Sequence, residues 1–254
     1  MITIISPAKT LDFKSEVQTK QHSQPYFLKE SKILIEELRK LNPHDIVRLM
    51  KVNDDIAFLN FKRNLSWRTP FSLDNAKQAL LAFRGQVYIG LDAKTLTEDD
   101  LLFAQDHLRI LSGLYGILKP LTLMQAYRLE MSIPLKNPMG KNLYEFWGTK
   151  INEVINSELQ DHKHKVLINL ASNEYFKVIK HKLIKSEIIT PVFKEDRGDS
   201  FKVITVYAKN ARGLMSRFII QNRIENPEDI KAFDSEDYLY NRDLSTEKEW
   251  VFTR

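Results

Sequence analysis

Arg128 and Glu130 stand two residues apart at the end of FAQDHLRILSGLYGILKPLTLMQAYRLEM (103–131). In an extended segment, side chains at that spacing share a face. They could therefore form a substrate clamp beside an acid/base group, or an internal ion pair. Asn173 and Glu174 add a second polar pair just past the apolar run VLINL, and ISPAKTLD places Ser6, Lys9 and Thr10 directly after the first apolar run. Hydroxyls and an ammonium so placed suit an oxyanion or a phosphate. Glu130, Glu174 and Lys9 are the candidate catalytic groups for general acid/base chemistry.

Two further segments could contact a ligand. In SGLYG, Ser112, Gly113, Tyr115 and Gly116 form a small-residue turn where backbone can approach closely, although a plain strand-to-helix turn reads as well. In YAKNARGLMSRFII, helical spacing gathers Ala211, Leu214, Met215 and Phe218 on one side and Lys209, Arg212 and Ser216 on the other, with Gly213 near the polar side. Lys209, Arg212, Gly213 and Arg217 are the phosphate-contact candidates there, against the alternative of a solvated basic face.

These residues all lie where an apolar run gives way to a polar or small segment. Ligands of open α/β sheets sit outside the carboxyl ends of the strands, so four such junctions predict one composite site. Periodicity predicts strands over 2–5, 108–111, 165–170, 188–193 and 201–207, with short ones at 87–89, 238–240 and 250–252. Helices are predicted over 26–41, 44–51, 54–66, 73–83, 98–106, 143–159, 173–180 and 208–221. The expected architecture is a single compact α/β domain over 1–254, with a mixed, largely parallel sheet, a helix-rich N-terminal half and a helical insertion or cap at roughly 26–106.

Composition narrows the chemistry. The 254 residues contain no cysteine, which removes disulfides, thiolate metal sites and a peroxidatic thiol. The six histidines are scattered without a Glu-x-x-His pair, and His162-x-His164 reads as a solvated loop, so neither a metal nor a cofactor is expected. There is no P-loop and no Gly-x-Ser-x-Gly elbow. With no 18-residue apolar stretch, a membrane partner is not expected and a cytoplasmic location is. Charge is uneven: residues 171–223 hold eleven Lys or Arg against five Asp or Glu, and residues 224–254 hold four against nine. A basic face for phosphates beside an acidic tail fits this, as do two solvated surfaces.

ISPAKTLD, LRILSGLYGILKPL with YRLEM, LYEFWG, NLASNEYF and YAKNARGLMSRFII resemble, in order and over nearly the whole chain, the bacterial peroxide stress protein YaaA family. The resemblance implies resistance to hydrogen peroxide through limiting free iron, DNA binding, an unusual α/β fold with a positively charged cleft, and a helix-hairpin-helix element. It brings no settled reaction. The sequence has no Gly-x-Gly, so a strict hairpin of that kind is not legible. The expectation is a DNA-binding protein of the oxidative stress response, monomer favoured. The alternative is an enzyme acting on a nucleotide, nucleobase or other phosphate-bearing small molecule.

Overall fold

Four strands of the computed structural model, which describes residues 1–254, are apolar enough to lie side by side at its centre. Ile2–Ile5 and Val166–Leu170 are buried at every position, as parallel strands with both faces covered must be. They pair in parallel, Thr3 opposite Ile168. Leu108–Ser112 joins Ile2–Ile5 on one side and Glu187–Asp196 joins Val166–Leu170 on the other, both in parallel. Glu249–Thr253 extends the parallel run, while Leu239–Tyr240, Gly116–Leu118 and Phe201–Lys202 add antiparallel edges. The result is an eight-stranded mixed sheet in one α/β domain.

This order creates a crevice. The chain leaves Ile2–Ile5 toward Leu108–Ser112 on one side, and leaves Val166–Leu170 toward Glu187–Asp196 on the other. Between these two strands the connections diverge, which is the topological switch point where open sheets bind ligands.

The N-terminal half is helical, as its sequence predicts. Leu28–Arg39, Pro43–Met50 and Asp54–Ser66 form, the second begun by a capping box of Asn42 and Asp45 and the third by Asn53 accepting from the Ile56 amide. Leu34, Ile46 and Ala57 join the same continuous core as the sheet. Thr97 and Asp100 box the start of Glu98–His107. No helix is long and apolar enough to cross a membrane.

Five expected elements differ, among them the 173–180 helix, which is helical only over Asn173–Phe176. The 73–83 helix resolves into Lys77–Gln78, a turn of helix at Ala79–Ala82 and Phe83–Arg84, because Lys77–Gln78 pairs with Leu123–Met124 and Phe83–Arg84 with Thr10–Leu11. The 87–89 strand is instead part of the helix Gln86–Leu91, whose Val87 and Leu91 are buried and which packs on the long helix Thr205–Gln221, tertiary packing overriding β propensity. The 143–159 helix divides at Gly148, whose φ of 55° is left-handed. The 201–207 strand stops at Lys202, where its pairing with Glu195 ends, and the helix begins at Thr205 with Val206 and Tyr207 exposed.

At the opposite end of the sheet, His162 is not simply solvated. Its ring meets His107 edge-on at 4.8 Å, and His107 Nδ1 lies 3.0 Å from the Met1 carbonyl. Burial, foremost, lowers the His162 pKa from 6.5 to about 4. The unfolded chain then binds the proton more readily, so stability rises with pH between about 4 and 6.5 and is lost as pH falls through that window. His162→Gln is expected to flatten this part of the profile, checked by urea midpoints at pH 7 and pH 4.5.

Candidate functional site

The crevice at the switch point opens into a cleft of about 610 Å³. Ser6 stitches its base: its hydroxyl accepts from the Ser172 amide at 2.8 Å and donates to the Ser172 hydroxyl at 3.2 Å. Tyr88 donates to the Ser6 carbonyl at 3.0 Å. Three chain segments that leave different elements are thereby held at one point.

Lys9 and Thr10 line the cleft from the first junction, and Asp12 fixes the loop that carries them. The Asp12 carboxylate accepts from the Ser15 amide at 2.9 Å and the Ser15 hydroxyl at 2.7 Å, and Lys94 lies 3.3 Å away. The Ser15 backbone bond foremost, then its hydroxyl, hold the Asp12 carboxyl well below the usual carboxylate range.

Arg128 and Glu130 are both an ion pair and part of the cleft wall. Glu130 Oε1 is 3.1 Å from Arg128 Nη2 and 3.5 Å from Lys9 Nζ. Glu130 Oε2 and Arg128 Nε, both buried, have no protein partner. Glu130 is only 9% exposed. A buried carboxylate oxygen and a buried guanidinium N–H left unpartnered in a cleft wall are exceptions among buried polar groups.

Asn173 and Glu174 line the cleft beside Tyr175. Glu174 Oε1 already accepts from the Ser132 amide at 3.1 Å and hydroxyl at 2.7 Å, so its carboxylate also anchors the 131–135 segment. From the long helix, Lys209 and Arg212 reach the cleft. No carboxylate pairs with Arg212, and burial alone pushes its guanidinium below its ordinary value. Counting Arg84, five cationic side chains face two carboxylates around one cavity.

The other candidates lie elsewhere. Ser112, Gly113, Tyr115 and Gly116 are buried beneath the site. The Ser112 hydroxyl is 2.7 Å from the Tyr127 hydroxyl and accepts from the Tyr115 amide, and the Gly113 carbonyl accepts from the Trp147 indole at 3.0 Å. Gly116 takes φ 71° under the Trp147 ring, where a Cβ would come within 2.8 Å of it. The turn is thus a footing for Tyr127, because its apolar flanks and small residues serve close packing. Gly213 meets the Val87 carbonyl of the neighbouring helix, and Arg217 donates to the Leu91 and Asp92 carbonyls at 3.0 Å, capping that helix. Ser216 is buried as well. Of the helix's expected basic face, only Lys209 and Arg212 reach the cleft.

Sequence reading missed Arg84, Tyr88, Tyr127 and Ser172 among the lining residues. Ser172 lay inside a quoted motif, directly after a strand. Arg84-Gly85 fell in the gap between the expected 73–83 helix and the expected 87–89 strand. Tyr88, Tyr127 and Tyr175 form a largely buried aromatic wall, and burial raises all three phenol pKa values. They are neutral across the physiological range, apolar in body and polar at the tip.

The comparisons with known proteins agree on one family. The family model described as "Peroxide stress protein YaaA" matches residues 1–244. UPF0246 proteins of Ralstonia nicotianae and Colwellia psychrerythraea are each 52% identical over 254 residues, covering 100% of this chain and 99% of the relative. By a match that takes in every strand of the sheet but Glu249–Thr253, and relatives aligned end to end, this chain belongs to the peroxide stress protein YaaA family.

Proposed function

We propose that the protein serves the oxidative stress response in the cytoplasm by binding DNA, with phosphates held at the cationic cleft. The observation that carries this reading is the excess of cations around the switch-point cleft, two of which, Lys209 and Arg212, have no acidic partner in the fold. Unpaired cations facing a cavity attract polyanions, and their release of condensed counterions drives binding. No group of three or more His, Asp or Glu side chains is placed to hold a metal ion. In this reading, limiting iron-driven damage is a consequence of occupying DNA rather than of storing iron.

Binding should be mainly electrostatic. Log affinity for a duplex is expected to fall linearly with log salt, with a slope of about −0.9 per phosphate neutralised. Lys209→Ala with Arg212→Ala should weaken all duplex sequences about equally and shrink the slope by roughly 2. Fluorescence anisotropy at several salt concentrations measures both, and salt-insensitive binding or an unchanged double variant contradicts the reading.

One observation favours a second reading, an enzyme acting on a phosphate-bearing small molecule. Lys9, Arg128, Glu130, Glu174 and Lys209 converge in one cavity instead of spreading over a duplex-sized surface. A cavity of that volume is in the range of small-ligand sites. Its test is turnover of nucleotides by the purified protein.

A further inference from the structure

The geometry points to a nucleobase-reading site within the cleft: it takes a single nucleotide, base inward against Glu130 and Arg128, phosphate outward on Lys209 and Arg212. This deepens the DNA-binding reading and rests on it, since it names what part of the nucleic acid enters the cavity. A stacked duplex base has its Watson–Crick edge covered, so the nucleotide that enters is an unpaired or turned-out one.

Three features select a nucleotide over a bare phosphate or sugar phosphate. The cavity, about 610 Å³, has room for a base and sugar beyond any phosphate. Its wall includes Tyr88, Tyr127 and Tyr175, neutral rings suited to a flat apolar ligand. Glu130 Oε2 and Arg128 Nε sit on side chains paired at 3.1 Å, yet neither atom has a partner. One is a hydrogen-bond acceptor and the other a donor, both are buried in the wall, and leaving both unmet is costly.

The base edge that best answers them carries an acceptor next to N–H donors. Guanine fits most fully: O6 accepts from Arg128 Nε, and the adjacent N1–H and N2–H₂ donate to the Glu130 carboxylate. Uracil and thymine offer one N–H between two carbonyl oxygens, and one of those oxygens would face the carboxylate. Lys9, 3.5 Å from Glu130 Oε1, helps orient that carboxylate. Arg212 then meets the phosphate with a guanidinium that no protein carboxylate occupies.

The test is calorimetric titration of the full-length protein with GMP, UMP and ribose 5-phosphate, in parallel with duplex DNA. GMP is expected to bind about tenfold or more tightly than either of the others, the factor that one hydrogen bond to a charged group supplies. Glu130→Gln should bring GMP affinity down to that of UMP, while Lys209→Ala should weaken GMP and UMP alike. Equal affinities for GMP and UMP in the wild type overturn the base reading, as does ribose 5-phosphate binding as well as GMP. The wild-type series decides the matter even where a variant fails to fold. DNA binding that depends on Lys209 and Arg212 without any mononucleotide binding overturns this inference and leaves the DNA reading standing; absence of both overturns the two together.

Discussion

Gly213→Ala is expected to destabilise the protein by about 3 kcal/mol, toward the upper end of over-packing losses. A Cβ at Gly213 would lie 1.9 Å from the Val87 carbonyl oxygen and 2.8 Å from the Leu91 amide. At the reciprocal position, a Cβ on Gly90 would fall 2.3 Å from the Asn210 carbonyl. These neighbours are helix backbone, so no rotamer change relieves the clash and the two helices must part. Alanine is worth about 1 kcal/mol more than glycine within an isolated helix, and that gain is too small to compensate. Parting would also move Lys209 and Arg212 away from Tyr88, which together line the cleft. Urea unfolding with an unchanged m-value checks the prediction; a variant as stable as the wild type would mean that the helices are not in backbone contact.

Gly213 also marks where sequence reasoning reached its limit. A glycine within a helix signals close approach by something, and periodicity placed it near the basic side, which suggested a ligand. What approaches is a second helix, Gln86–Leu91, whose sequence QVYIGL reads locally as a strand. The nearest partner lies more than a hundred residues away in the chain, and no local pattern carries that pairing. The same holds for SGLYG. Its composition permits either ligand contact or dense packing, and the choice was made by Trp147 and Tyr127 closing over it.

The central strands were legible because burial on both faces demands unbroken apolar runs, as in ITII and VLINL. The helix starts after Asn53 and Thr97 were legible because capping is a local interaction. Of the four segments grouped into one site, those after Ile5, Leu170 and Lys202 border one cleft, while SGLYG is packed beneath it. The residues within them that face the cavity were only partly separable. Arg128 and Glu130 were offered as an ion pair or as site groups; they form the pair and also line the cleft, with Glu130 Oε2 and Arg128 Nε buried and unpartnered.

The second large effect concerns function. Lys9 is an exposed side chain, 66% accessible, whose ammonium contacts only Glu130 among the acidic groups. Its removal should leave stability within about 1 kcal/mol of the wild type, as exposed substitutions do. Glu130→Gln keeps the shape of the side chain but removes the charge that holds Lys9 and Arg128. If the pair mattered only for folding, breaking it would cost roughly 3–5 kcal/mol, the loss expected when a buried charge is left without its partner. Protection from peroxide and unfolding free energy must therefore be read on the same variants.

The measurement that bears most directly on the switch-point cleft as the working site is survival of peroxide-challenged cells lacking the native protein and supplied with Lys9→Ala or Glu130→Gln, alongside urea unfolding of each purified variant. Both variants are predicted to lose protection, with Lys9→Ala retaining wild-type stability to within about 1 kcal/mol. Full protection by both variants, each folded and stable, would contradict it.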